Sequence, residues 1–325
     1  MFMDFMELMS VGLLHSVSGV FAKRVGLAKV ARSFIETERC RRLWQTRTLE
    51  NYGVLLGHYE RYKGDVRIDR VDARWMDGFV EYLYSVAGLR NSTIQMLLQQ
   101  HRAVMRWAKS EGYRVRDEAL QYSAKLRSAN CRSNVVALTR EELRRLLDQE
   151  IGSSALEAVR DVFCFCCLTS LRYSDIKRLK WSNINDGWVE MTSQKTNEFL
   201  RIPLNTNAYN IIKRYAGRDM VLPVVSCVNY NRGLKKVARM AGLDRMVTHT
   251  WYVGPERHEE VRPLYEVISS HVGRKTFVTL ALSVGMPVEV LCSFTGHRDS
   301  RQLKHYCDIS REEQRRWGVT LGLQA

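Results

Sequence analysis

Apolar side chains recur at helical spacing through the first part of this 325-residue chain, and this pattern limits its fold more than any other feature. The repeat is clear in Thr48–Tyr62 and again in Arg74–Val86, where apolar residues stand three or four positions apart. A longer helix that ends near Gly112 follows, and Asn91, Ser92 and Thr93 at its start are expected to supply its capping side chains. The pattern predicts a helical bundle over residues 29–127.

A polar stretch without periodicity, Ser128–Ala137, separates this bundle from a more varied second half. In that half Thr139 begins the sequence pattern of a capping box, and Ser174 is expected to cap a short helix. An apolar run predicts a buried helix over Leu156–Leu168. Two small antiparallel hairpins are predicted, one from Trp188–Met191 and Phe199–Pro203 and the other from Val247–Tyr252 and Val261–Ile268.

These elements indicate a fold that is mainly α with small antiparallel β-sheets, an α+β class. The apolar start of the chain is interrupted by Asp4 and Glu7, so we interpret it as an amphipathic helix rather than as a signal peptide. The predicted segments are an N-terminal amphipathic segment (1–28), a helical domain (29–127), a linker (128–137) and a second domain (138–325).

The net charge of the chain is +15, from 50 Lys and Arg residues against 35 Asp and Glu. The excess is shared evenly, because positions up to 130 hold 21 basic and 14 acidic residues and the rest hold 29 and 21. Such a charge favours a polyanion as partner, since each phosphate that binds releases counterions. Nucleic acid is the first candidate, and a solvated basic surface or association with ribosomes is the alternative.

The cysteines and the hydropathy pattern exclude several classes of protein. The one Cys-x-x-Cys spacing among the eight cysteines, from Cys164 to Cys167, lies with Cys166 inside an apolar run, as small buried residues do. This usage predicts a reducing, cytoplasmic location and no zinc site. No run of 18 apolar residues occurs, so a membrane is not an expected partner. No carboxylate cluster suits Mg²⁺, and we predict neither a metal nor a cofactor.

Six side chains of the second half are suited to phosphoryl chemistry. Two arginines can bind one phosphate and neutralise the charge of a pentacoordinate transition state. A histidine can transfer a proton near neutral pH, a lysine can protonate a leaving alkoxide, and a tyrosine can form a covalent phosphotyrosine bond. Cationic side chains would then do the work of a metal. The candidates are Arg172, Lys195, His271, Arg274, His297 and Tyr306.

In this order and spacing the six residues resemble the tyrosine recombinase (phage integrase) family. The phrase LTSLRYSDIKRLKW (168–181) is similar to that family's first box, and SHVGRKTFVTLALSVGMPVEVLCSFTGHRDSRQLKHY (270–306) is similar to its second. The similarity covers Val135–Ser310, and the helical first half resembles the family's core-binding domain. The inserted hairpin Val247–Ile268 is similar to integrases of Bacteroidota phages and conjugative transposons.

The resemblance implies a site-specific DNA recombinase of a mobile genetic element. It would cleave and rejoin strands through a covalent 3′-phosphotyrosyl intermediate, without metal or ATP, for integration, excision or inversion. The implied fold is a C-shaped clamp of a core-binding and a catalytic domain around double-stranded DNA with inverted-repeat core sites. The implied assembly is a homotetramer on synapsed DNA, and an accessory DNA-bending protein is a further implied partner.

Each role comes with the resemblance, residue by residue. Tyr306 would attack the scissile phosphate, Arg172 and Arg274 would bind its non-bridging oxygens, and Lys195 would protonate the departing 5′ oxygen.

Three further groups of residues would assist. His271 would help proton transfer at the nucleophile, and His297 would hydrogen-bond the phosphate. Asp175, three residues after the first arginine, would support the site from behind. On the helical domain, Arg102 and Arg106 of the basic helix face are expected to bind DNA.

Three positions depart from the family pattern. Ser170 stands where glycine is usual, Asp175 replaces the commoner glutamate, and Phe294 precedes Thr295 where a leucine is usual before Gly296. Only some 28 residues precede the bundle. This leaves open a chain without an arm-site domain, a truncated chain, and a simpler invertase- or Xer-like class.

Other functions of the same scaffold stay open at this stage. One is a DNA-binding protein without catalysis, and another is a type IB topoisomerase, which shares the chemistry but relaxes supercoils without pairing two sites. A metal-dependent nuclease is less favoured, and activity in EDTA would distinguish it.

Overall fold

A computed structural model of the chain describes residues 25–128, 135–297 and Leu303. These residues group in two compact units. The first unit holds the described residues up to Ser128 together with Trp251–His258, and the second holds 135–250 and the described residues from Glu259 onward.

The first unit is built from α-helices, as the helical spacing of its apolar residues predicts. Each helix buries one face, and the predicted segments Thr48–Tyr62 and Arg74–Val86 agree with the observed helices to within two residues at each end. The helices are α1 (Leu27–Arg42), α2 (Thr46–Arg61), α3 (Ala73–Ser85), α4 (Asn91–Ser110) and α5 (Asp117–Gln121).

A buried histidine lies in the core of this unit. His101 on α4 is fully buried, and its Nδ1 accepts a hydrogen bond from the Tyr59 hydroxyl at 2.7 Å. Its Nε2 lies 3.3 Å from the carbonyl oxygen of Ala119, to which a neutral ring can donate. Burial lowers the pKa of His101 to about 4. The ring is therefore neutral at pH 7.

The predicted role of Asn91 as a helix cap is wrong. The residue that caps α4 is Arg90, which makes no side-chain cap bond, and Asn91 is the first helical residue. The Asn91 amide donates to the carbonyl of Gly254 at 2.8 Å and to that of Arg127 at 2.9 Å, and accepts from the Gly254 N–H at 2.7 Å. Because both amide functions pair with a buried turn, none is left for the helix end.

The second unit combines helices with one small sheet and most of a second hairpin, whose residues Trp251–His258 group with the first unit. Helices with small antiparallel sheets are what the sequence predicts. The helices are α6 (Arg140–Asp148), α7 (Ser154–Thr169), α8 (Tyr173–Lys177), α9 (Thr206–Lys213), α10 (Cys227–Met240), α11 (Leu264–Val267), α12 (Ser270–Ser283) and α13 (Val288–Thr295). The strands are β1 (Ile184–Asn185), β2 (Trp188–Thr192), β3 (Phe199–Pro203), β4 (Met246–Val253) and β5 (Glu256–Pro263). Strands β1 to β3 form one sheet, in which β2 and β3 are antiparallel with Val189 opposite Ile202, and β4 and β5 form a second.

Of the local predictions for this unit, the capping box is confirmed, and the cap at Ser174 and part of one strand are wrong. The capping box is present, because the Thr139 side chain accepts from the Glu142 N–H and the Glu142 carboxylate accepts from the Thr139 N–H. The predicted cap at Ser174 is wrong, since Arg172 occupies that position and no side chain caps α8. The predicted strand Val261–Ile268 is also wrong beyond Pro263, because the buried Leu264 begins a short helix.

Helix α7 is the centre of the second unit. It contacts α6, α9, α10 and α12, and its apolar side chains are almost all buried. The three cysteines of this run are buried, as predicted, and burial raises the pKa of the Cys166 thiol to about 12. No helix in the described ranges is long and apolar enough to cross a membrane.

Acid should destabilise the first unit through His101. The pKa of this ring is about 4 in the folded chain and near 6.5 in the unfolded chain, so the unfolded state binds more protons between these values. Stability is then full above pH 6.5 and falls as the pH drops towards 4, by up to about 3 kcal/mol. Urea unfolding at pH 7.5 and 4.5 measures this loss. A His101→Gln variant should lose less free energy of unfolding between the two pH values, and an equal loss would contradict the argument.

Candidate active site

The buried guanidinium of Arg274 is held by the ends of two helices. Arg274 lies on α12 and is 4% exposed. Its Nη1 donates to the carbonyl oxygen of Ser170 at 2.9 Å and its Nη2 to that of Thr295 at 2.5 Å. Both carbonyls stand at helix C-termini, α7 and α13, where the helix dipole is negative. Backbone carbonyls thus compensate part of the charge of Arg274.

Both of these helices end in a left-handed residue. Ser170 has φ +63° and Gly296 has φ +61°. The turn at each end directs a carbonyl towards the arginine. The Ser170 hydroxyl also donates to the carbonyl of Phe294 at 2.9 Å, which joins the two helix ends. The departure from glycine at position 170 therefore keeps the usual backbone conformation and adds a hydrogen bond.

Gly296 allows α13 to approach the sheet closely. A Cβ built at this position would lie 2.9 Å from Cδ2 of the buried Leu200 on β3 and 3.6 Å from Oγ1 of Thr196. Thr196 follows Lys195 in the turn between β2 and β3. The close approach at Gly296 therefore brings His297 next to the turn that carries the lysine.

The His297 ring is neutral and its tautomer follows from its partner. Its Nε2 lies 3.2 Å from Nη2 of Arg274. A guanidinium only donates, so Nε2 must accept and the ring proton is on Nδ1. Burial, followed by the positive charges of Arg274 and Arg172, lowers the pKa of His297 to about 4. Nδ1 is buried and has no hydrogen-bond partner among the residues that the structure describes.

His271 is the second residue of helix α12 and lies one turn before Arg274, as the i, i+3 spacing predicts. Partial burial lowers the pKa of His271, and the positive charges of Lys275, Arg274, Lys195 and Arg172 lower it further. At pH 7 the ring is therefore mainly neutral and can accept a proton. Lys275, which is not among the predicted site residues, also lies here, and burial lowers its pKa. A basic residue directly after Arg274 was the available signal.

Arg172 is bonded to the turn that carries Lys195. Arg172 precedes α8 and is half-buried, which lowers its pKa, while the charge of Asp175 acts in the opposite direction. Its Nη1 donates to Oγ of Ser193 at 3.2 Å. Ser193 directly follows β2, and the exposed Lys195 comes two residues later. The lysine itself stays accessible on its turn.

Asp175 lies behind this pair and is fully buried. Its Oδ1 accepts from the Gln194 N–H at 2.8 Å, and its Oδ2 accepts from the Ser193 hydroxyl at 3.4 Å. Arg178 Nη2 lies 3.3 Å from Oδ1. The carboxylate thereby attaches the β2–β3 turn to the helix that follows Arg172.

Five of the six predicted catalytic residues meet in the second unit. Each of the two histidines has its pKa lowered by the charges of Arg172, Lys195 and Arg274 together, which is possible only when these groups share one site. Tyr306 lies outside the described residues. In the ranges 25–128 and 135–297, no group of three or more His, Cys, Asp and Glu side chains could hold a metal ion.

The two predicted DNA-binding arginines lie on α4 of the first unit. Arg106 is exposed and Arg102 is half-buried, and Arg106 Nε donates to the Arg102 carbonyl at 3.2 Å. The core residues of the same helix, such as Leu97, Val104 and Met105, occupy its opposite face. The two arginines therefore form part of the outer surface of this unit.

Comparison with known proteins gives matches for both halves of the chain. A family model described as "Phage integrase family" matches residues 137–313, and one described as "Phage integrase SAM-like domain" matches residues 27–123. Sequence comparison with curated proteins gives no match.

Solved structures share the fold. The Tn1549 transposon integrase in complex with a circular intermediate DNA is 16% identical, with a TM-score of 0.67, over 91% of this chain and 99% of its own. A lambda integrase dimer bound to a COC′ core site is 16% identical, with a TM-score of 0.66, over 89% and 97%. A lambda integrase tetramer bound to a Holliday junction is 15% identical, with a TM-score of 0.61, over 91% and 85%. The predicted α+β fold class is confirmed.

Substitution of Gly296 should disturb the site as well as the fold. Gly296→Ala forces a Cβ into the left-handed region, at a cost of about 1–2 kcal/mol, and places it against Leu200. Gly285 has φ +82°, and a Cβ added there would meet no atom within 4 Å, so Gly285→Ala carries the strain alone. We expect both variants to lose stability in urea unfolding, Gly296→Ala more than Gly285→Ala because of the contact with Leu200, and only Gly296→Ala to slow DNA cleavage markedly. Equal cleavage by the two variants would show that the close approach is not needed.

Proposed function

As a member of the phage integrase family, this chain is a site-specific DNA recombinase, and we propose that Tyr306 forms a covalent bond to the DNA strand that is cleaved. The observation that carries the proposal is the group of two arginines, a lysine and two neutral histidines in one part of the second unit. That unit contains nearly all of the match to the family, residues 137–313.

The two arginines would bind the scissile phosphate. Arg274 is already fixed by the two helix ends, and Arg172 is fixed by Ser193. Guanidinium groups held in place stabilise the extra negative charge of a pentacoordinate phosphorus without reorganisation in the transition state. Each guanidinium compensates negative charge that water would otherwise have to solvate.

The bond changes balance without an external energy source. The phenol oxygen of Tyr306 would form a bond to phosphorus while the bond from phosphorus to the 5′ oxygen breaks, so the number of phosphoester bonds is unchanged. His271, with its lowered pKa, would accept the phenol proton, and Lys195 would give a proton to the 5′ oxygen. His297 would donate a hydrogen bond to the phosphate. Rejoining is the reverse, with a different 5′-hydroxyl as nucleophile.

The partner of this site would be double-stranded DNA with inverted-repeat core sites. Arg102 and Arg106 on α4 would contact its backbone, and the basic charge of both halves of the chain agrees with this. The lambda integrase tetramer bound to a Holliday junction is the basis for proposing that four copies pair two duplexes. A DNA-bending protein would be an accessory partner.

Loss of the Tyr306 hydroxyl should abolish the covalent adduct and leave DNA binding intact. On a nicked substrate that traps the intermediate, the wild-type chain should form a protein–DNA adduct that survives denaturation, also in EDTA, and Tyr306→Phe should form none. Arg172→Ala and Arg274→Ala should each slow the step by about 10² or more, by analogy with one oxyanion-hole donor.

Three outcomes would contradict this function. A wild-type chain that binds DNA and forms no adduct would be a DNA-binding protein without catalysis. An adduct accompanied by relaxation of supercoils, without exchange between two paired sites, would be a topoisomerase. An adduct that survives Tyr306→Phe would move the nucleophile elsewhere.

Arg106 should contribute to affinity and not to cleavage. Arg106→Ala removes one phosphate contact, so the slope of log K against log salt should fall by about 0.9. Arg32 is a matched control, because it is exposed in the same unit and paired with Glu60 at 2.5 Å. Titration of labelled DNA at salt concentrations of roughly 50 to 200 mM compares the slopes of the two variants. An equal change of the slope for Arg32→Ala would show that the effect comes from net charge and not from a phosphate contact of Arg106.

A further inference from the structure

We propose that the Ser193 hydroxyl is a positioning group that fixes the Arg172 guanidinium for phosphate binding. This inference rests on the function proposed above, because it concerns the same site. Ser193 is absent from the residues that the sequence analysis selected, and the structure places it at the junction of Arg172, Asp175 and the turn that bears Lys195.

Three side chains form a directed hydrogen-bonded series. Arg172 Nη1 donates to the Ser193 hydroxyl oxygen at 3.2 Å, and this hydroxyl donates to Oδ2 of Asp175 in a longer contact of 3.4 Å. The guanidinium can only donate and the carboxylate can only accept. A hydroxyl does both, so it is the group that can stand between them. The described contacts include no direct ion pair between Arg172 and Asp175.

Ser193 is itself rigid. Its side chain is 1% exposed, so water cannot take the place of the hydroxyl without rearrangement. Its N–H donates to the Glu198 carbonyl at 2.8 Å, and its carbonyl accepts from the Asn197 N–H at 3.0 Å. These two bonds close the turn around Lys195. A hydroxyl on this closed turn gives Arg172 a fixed acceptor.

The hydroxyl should act on Arg172 rather than on Lys195. Without it, the turn keeps both backbone bonds of residue 193, and the Gln194 N–H still donates to Asp175 at 2.8 Å. Lys195 therefore keeps its place on the turn. Arg172 loses the side-chain acceptor that orients it, and Asp175 loses one donor.

The test compares adduct formation by the wild type and Ser193→Ala on three nicked substrates. On unmodified DNA the variant should be roughly tenfold slower, the effect of one well-placed hydrogen bond to a charged group. A methylphosphonate at the scissile position lacks one negative charge and depends less on Arg172, so the deficit of the variant should shrink there. A 5′-bridging phosphorothiolate needs no proton from Lys195, and the deficit should remain.

Two controls separate positioning from general damage. Ser283 on α12 is exposed and its hydroxyl bonds locally to the Leu280 carbonyl at 2.8 Å, so Ser283→Ala should match the wild type. In an Arg172→Ala background, Ser193→Ala should cause no further loss. If Ser193→Ala unfolds early in thermal denaturation, the isosteric pair Ser193→Thr and Ser193→Val replaces it, and only the variant with a hydroxyl should stay fast.

Several results would overturn the inference. Cleavage by Ser193→Ala at the wild-type rate, equal rates for the Thr and Val variants, or a further loss on top of Arg172→Ala would each do so. A deficit cured by the phosphorothiolate would assign the hydroxyl to Lys195 instead. A wild type and a Ser283→Ala variant that form no adduct at all would defeat the proposed function, and the inference with it.

Discussion

The structure of the site depends on a buried arginine whose charge is balanced by backbone carbonyls. Arg274 cannot lose its proton inside the protein, and the two helices that end where its guanidinium lies supply carbonyls that make its burial tolerable. The same two helix ends are joined by the hydroxyl of Ser170, and one of them carries His297. A change in either helix would therefore move the arginine and the histidine together.

The remaining charges of the site are arranged around this arginine with little negative compensation. Asp175 is the buried carboxylate near Arg172, and it accepts bonds from the turn of Lys195. Burial, reinforced by the excess of positive charge, keeps His271 and His297 neutral, which suits one to accept a proton and the other to donate a hydrogen bond. A phosphodiester brings the negative charge that these side chains do not supply. Binding of the phosphodiester thus also reduces the electrostatic repulsion among these positive side chains.

The sequence predicted the kind of elements and indicated five residues that the structure brings together, because periodic spacing and ordered motifs leave signals along the chain. Helical spacing located α2 and α3 to within two residues, and the order from Arg172 to His297 located the site. The sequence could not indicate that the Asn91 amide pairs with a turn more than 160 residues away. It also could not indicate that Ser193, which follows β2, accepts a hydrogen bond from Arg172. Such long-range pairings leave no local pattern.

The left-handed conformation at Ser170 narrows what natural variation can do at this position. Only residues that tolerate φ near +63° can end α7 and still direct a carbonyl at Arg274, and among these a hydroxyl is also needed to reach α13. A lineage that exchanged this serine for glycine would keep the backbone path but lose the bond between the helices. The left-handed backbone conformation, and not charge, then restricts which amino acids can occupy this position beside the arginine.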